Sequence, residues 1–203
     1  MIRDAESLRE AEFGNSDWAK QHVAAAVALS SGRNAKILTA LALARAGEPE
    51  RAQTLVDELN RRFPSNTLLQ RYWLPMIRGA IELARNNTSK ALEELKGVSY
   101  ELGDNGALAG NLYSMYVRGK AYLGAGQGKD AVAEFQKILD HRSIVLNSPL
   151  GALAHLGLAR AYSMQGTAAT ARVAYQNFFA LWKDADADTP ILKHAKAEYA
   201  KLQ

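Results

Sequence analysis

Residues Leu158–Phe179 read LARAYSMQGTAATARVAYQNFF, and the order of small, aromatic and turn residues in this stretch decides the fold. Leu158, Ala161 and Tyr162 lie on one helical face, Gly166 interrupts, and Ala171, Tyr175 and Phe178 resume the pattern on a second helix. Each type has a steric task. Ala161 and Ala171 let two antiparallel helices approach closely, Gly166 tolerates the positive φ of a helix terminus, and the aromatic rings fill the space between successive pairs.

The same code recurs upstream. Gly119, Ala121, Tyr122, Gly126, Ala131, Phe135 and Ile138 repeat it, with Ala131 in the place of Ala171. A weaker copy, Gly79, Ile81, Ala91, Leu95 and Val98, precedes that one, with Asn86 in place of the turn glycine. Asparagine is the next-best left-handed residue. Ala40, Ala42, Leu43, Gly47, Ala52, Val56 and Leu59 form an earlier copy, which closes at Pro64. Gly14, Ala19, Val23 and Ala26 fit an incomplete first copy. The alanine that opens each second helix therefore returns as Ala19, Ala52, Ala91, Ala131 and Ala171, at near-even steps after the first.

Composition agrees with helix. The chain has 203 residues, 48% of them hydrophobic, with only 5 Pro, and Ala and Leu outnumber the β-branched residues. Its 25 Lys and Arg are interleaved with 21 Asp and Glu, a diffuse formal charge of +4. No basic stripe with interleaved aromatics is present, which argues against nucleic acid as the partner of this segment. With no cysteine there is no disulfide and no thiol nucleophile or thiolate metal site. No apolar run approaches the ~20 residues of a membrane span. The opening MIRDAESLRE is a charged helical pattern rather than a signal peptide, and it reads as mid-helix, as expected of a piece of something longer. The compartment stays open between cytoplasm and the outer side of a membrane.

Together these residues resemble the tetratricopeptide repeat family over essentially the whole chain. The resemblance implies an all-α fold, a right-handed α-α superhelix of antiparallel helix pairs forming one repeat domain over 1–203. Its repeats fall near 1–31 (incomplete), 33–64, 66–98, 107–140 and 149–182, and a capping helix covers 189–202. Thr189 as N-cap and Pro190 at the first helical position start that helix, with Ile191, Leu192, Ala195, Tyr199 and Leu202 as its inner stripe. The usual period of this family is about 34, and most spacings here exceed it by about six residues. The excess falls in polar connectors at 98–106 and 140–148, and Leu74-Pro75 is expected to kink its helix. The C-terminal half, Ile138–Gly166 and Phe178–Leu202, further resembles the C-terminal repeat region of bacterial multidomain serine/threonine protein kinases. Related repeat regions also follow winged-helix transcription regulators.

Catalytic motifs fail on inspection. His141-Arg142-Ser143 has Ser where a kinase catalytic loop needs its Asp base, and Asn147 falls one residue early. Gly124–Asp130 lacks a phosphate loop's leading glycine, its final Ser or Thr, and a preceding strand. His22, His141, His155 and His194 are far apart, with no ligand-like spacing. The expectation is therefore a non-enzymatic segment with no metal and no cofactor.

What remains is the concave groove. In arrays of this family the first helix of each pair lines it, and residues one turn apart face the ligand. The repeat phase places Ile37, Leu41 and Arg45 there, then Trp73, Met76 and Ala80, then Tyr113, Tyr116 and Lys120, then Leu153, Leu156 and Arg160. The groove candidates are Arg45, Trp73, Met76, Tyr113, Tyr116, Lys120, Leu156 and Arg160. They match a protein or peptide partner, apolar with an acidic or carboxylate end. Function is expected to be protein binding or sensing within a signalling protein. The alternative is a self-association scaffold, a homo-oligomer that brings attached kinase or regulator domains together.

Overall fold

A computed structural model describes residues 2–29, 32–99, 112–145 and 148–202. Among these residues the structure is helical, without strands. In order they form α1 (Ile2–Glu12), α2 (Ser16–Leu29), α3 (Arg33–Arg45), α4 (Pro49–Arg62), α5 (Leu74–Ala84), α6 (Thr88–Leu95), α7 (Tyr113–Gly124), α8 (Gly128–Asp140), the single-turn α9 (Arg142–Val145), α10 (Leu150–Met164), α11 (Ala168–Leu181) and α12 (Pro190–Ala200). The contacts gather into two compact units, Met1–Leu102 and Gly103–Gln203.

The helix pairs α1/α2, α3/α4, α5/α6, α7/α8 and α10/α11 are closed by the same turn. Its central residue is left-handed each time: Gly14 (φ 88°), Gly47 (81°), Asn86 (61°), Gly126 (75°) and Gly166 (73°). Two backbone bonds define it. In the last pair Gly166 N–H donates to Ser163 O (3.0 Å) and Thr167 N–H reaches back to Tyr162 O (3.0 Å). This is a Schellman cap, which satisfies carbonyls that the ending helix leaves unpaired. The same two bonds close the second pair, from Gly47 to Ala44 and from Glu48 to Leu43, and the third, from Asn86 to Leu83 and from Asn87 to Glu82. Shortly beyond each left-handed position comes the alanine of the code. Ala19, Ala52, Ala91, Ala131 and Ala171 are all fully buried.

Within each unit the first helix of a pair packs on both helices of the pair before it: α3 on α1 and α2, α5 on α3 and α4, α10 on α7 and α8. Small residues make this approach possible. A Cβ on Gly119 would lie 2.8 Å from the Phe135 ring, and one on Gly157 would lie 2.6 Å from it. Phe135 of α8 is therefore clasped between its own pair and the next. Gly79 leaves similar room for Leu95, at 2.8 Å.

Departures from regularity have local causes. Before Pro75 the chain winds as a π-helix over Leu69–Trp73, with Leu74 N–H donating to Leu69 O. Pro75 has no N–H to return to the preceding turn, and the widened turn takes up the mismatch. The expected kink is thus a π segment that buries both Tyr72 and Trp73, whose rings meet edge to face at 5.1 Å. The connector at 140–148 contains α9, while residues 100–106 of the other connector lie outside the described residues. Pro190 does open α12, but the Thr189 side chain makes no capping bond. Ile191, Leu192 and Ala195 are buried and Tyr199 and Leu202 half-buried, so the inner stripe faces the protein.

Candidate peptide-binding face

The first helices carry the candidate stripe, and the N-terminal unit covers most of its own share. Ile37 and Leu41 of α3 and Met76 and Ala80 of α5 are buried, and Trp73 keeps only 4% of its surface. These side chains pack between helices. Arg45, at the end of α3, turns to Glu12 at the end of α1 and forks onto its carboxylate through Nε and through Nη2 at 3.1 Å. The two side chains are 11% and 3% exposed, so the pair sits inside the unit. Glu12 and Arg45 stand at the same place before the left-handed Gly14 and Gly47, so equivalent repeat positions carry opposite charges.

In the C-terminal unit the apolar stripe is again floor rather than rim. Tyr113, Tyr116, Leu153 and Leu156 are buried. The Tyr113 and Tyr116 rings lie 5.7 Å apart, and Tyr116 meets Phe135 edge to face. Above them the stripe is accessible. Lys120 is half-buried and sets its ammonium 5.6 Å from the Tyr116 ring centroid, a cation–π geometry. Arg160 holds the equivalent position on α10, and Met164, one turn further on, is 46% exposed. The accessible part of the stripe is therefore cationic with an exposed thioether.

Arg160 is already engaged with a carboxylate. Its Nε and Nη2 donate to Glu198 Oε2 (2.9 Å) and Oε1 (3.0 Å) from α12, and the Tyr175 hydroxyl donates to Oε2 (2.9 Å). Burial alone would raise the Glu198 pKa, but the Arg160 and Tyr175 donors outweigh it and hold the carboxyl below its ordinary value. Burial likewise opposes the Arg160 cation, and Glu198 outweighs it, so the guanidinium is held above its usual value. For Tyr175 burial and the bond to Glu198 act together, and the phenol is pushed far up. All three groups keep one protonation state near neutrality. The cluster is suited to holding a carboxylate.

Sequence reasoning missed the partners of its two arginines. Glu198 falls at helical spacing from Ile191 and Ala195, which is a signal for it, but its charge sets it apart from an apolar inner stripe. Glu12 offered no such signal. His141 Nδ1 donates to Lys137 O (2.6 Å) just beyond α8, with Asn147 outside the described residues, and Gly124–Asp130 runs from the end of α7 through the left-handed turn into the first turn of α8. Among the described residues no three His, Asp or Glu side chains gather as a metal ion would require. Among them, too, no helix is long and apolar enough to cross a membrane. No protein-family model matches the chain, and a search of curated proteins finds no relative.

Proposed function

We propose that this chain is a tetratricopeptide-type interaction module that binds a polypeptide along the first helices of its pairs, without catalysis of its own. The observation that carries the reading is the fivefold return of one left-handed turn and one buried alanine at a fixed distance from it. Within each unit successive helix pairs present equivalent positions side by side, and arrays of this kind serve as binding surfaces. The step from repeat to binding is an argument from architecture. Chemistry narrows it. Lys120, Arg160 and Met164 are the accessible members of the stripe in the C-terminal unit, which favours a peptide with a carboxylate next to an apolar side chain. A place in a bacterial signalling protein rests on the resemblance of the C-terminal half alone.

Peptide selection against the intact chain tests the reading. Selected ligands are expected to carry an acidic residue and to lose affinity with Lys120→Glu. Self-association, the other reading, draws on exposed Trp18, Val173 and Leu181. Sedimentation velocity separates the two, since a monomer at micromolar concentration removes the assembly role.

A further inference from the structure

The C-terminal helix α12 shows what a ligand of this surface looks like. It docks on α10 and α11 through apolar side chains, a seated carboxylate and an aromatic ring, with Gln176 Nε2 donating to the Tyr199 hydroxyl (3.2 Å) and Arg172 Nη1 to Leu202 O (2.8 Å). Ile191, Leu192 and Ala195 bury their side chains. Glu198 takes three donors from Arg160 and Tyr175. Tyr199 sets its ring 5.9 Å from Tyr175 and 5.6 Å from Phe179, both edge to face. Apolar anchors, a seated carboxylate and an aromatic neighbour are the parts of a helix-in-groove complex.

α12 lies chiefly against α11. Its tether over Lys183–Asp188 is exposed, and the tether's backbone bonds are local, Ala185 to Trp182 and Thr189 to Asp186. The Arg160 and Glu198 side chains are each about a third exposed, 33% and 34%, so the ion pair lies at the margin where a competitor can reach it.

We propose that the seat of α12 is the docking site for an amphipathic helix of a partner protein, and that α12 is its resident competitor. The partner helix presents an aliphatic pair, then a small residue three positions on, then an acid followed by an aromatic, as in Ile191, Leu192, Ala195, Glu198 and Tyr199. Its carboxylate replaces that of Glu198 on Arg160 and Tyr175. This rests on the binding reading above and adds the partner's chemistry and the competition.

The test uses the full chain and a fluorescent peptide of residues 189–203, TPILKHAKAEYAKLQ. A tethered segment competes at an effective concentration near millimolar, so wild type should bind the peptide weakly. Glu198→Arg sets like charges against each other, frees the seat, and should bind the peptide about tenfold more tightly or better. The same peptide with Arg at position 198 should bind neither chain. Equal affinity of wild type and Glu198→Arg for the wild-type peptide would overturn the proposal. Should Glu198→Arg fail to fold, hydrogen exchange on the wild-type chain decides. Amides of 191–200 exchanging at least about tenfold faster than those of 168–181 support a detachable helix, and exchange in step with them overturns it. Failure here while selected peptides still depend on Lys120 removes the competition and leaves the binding face. Loss of Lys120 dependence with the α12 peptide still bound removes the binding face as drawn.

Discussion

Phe135 and Gly157 stand so close that a Cβ at position 157 would lie 2.6 Å from the phenyl ring. One residue belongs to the second helix of a pair and the other to the first helix of the next, so the contact joins two repeats. The ring is fully buried and has no room to swing away. Gly157→Ala should therefore destabilise by about 1–3 kcal/mol, the usual cost of overpacking, and Gly119→Ala on the other side of the ring should behave alike. Urea denaturation checks both. Gly97→Ala is the control, since nothing lies within 4 Å of a Cβ there, and its change should stay within about 0.5 kcal/mol.

The left-handed turns make a prediction with two signs. Gly166→Ala forces an L side chain to φ 73° and should cost about 1–2 kcal/mol, although open space surrounds the position. Asn86→Gly relieves the same strain at φ 61° and should stabilise by up to about 1 kcal/mol. Thermal melts of the two variants should move in opposite directions.

Glu12 and Arg45 form a buried pair, and each charge is tolerated inside the fold because the other faces it. Arg45→Met should destabilise by about 3–5 kcal/mol, because the Glu12 carboxylate loses its guanidinium inside the N-terminal unit. The double variant Glu12→Leu, Arg45→Met should recover most of that loss. A double-mutant cycle in urea measures it.

Acid should loosen the carboxylates that the fold holds ionised. Burial works to raise the Glu82 pKa, but Asn87, Lys90 and Arg85 outweigh it, and the net shift is downward, as for Glu198. A depressed folded value means that the stabilisation is fully present above the ordinary value of 4.5 and is lost as pH falls through the folded one. Urea midpoints should therefore fall from pH 6 toward pH 3, and Glu82→Gln should flatten the decline. An unchanged slope in that variant would locate the acid sensitivity elsewhere.

The repeat was legible in the sequence because its signals are local. A left-handed turn needs Gly or Asn wherever it occurs, and the alanine that follows meets the same neighbouring helix in every pair. Gly14, Asn86 and Ala91 could be placed for that reason even where the rest of the code was thin. The accessibility of the stripe was not legible. Trp73, Met76, Tyr116 and Leu156 have the right phase for a groove, yet whether a residue of that phase is rim or floor depends on what packs beside it, which spacing does not encode. Pro75 announced a disturbance, but not that the chain would meet it by widening into a π segment that buries Tyr72 and Trp73. Glu198 was hidden by its charge, since an acid on an apolar stripe is meaningful only when its arginine is known.

Calorimetric titration of a selected acidic peptide decides whether the accessible stripe binds polypeptide. Lys120→Glu removes a cation of the stripe, while Lys129→Glu removes an exposed one at the start of α8. On the stripe-binding reading, Lys120→Glu should bind at least about tenfold more weakly and Lys129→Glu should be unchanged, with both variants folded. Equal affinity of both variants and wild type, or no peptide selected at all, would contradict it.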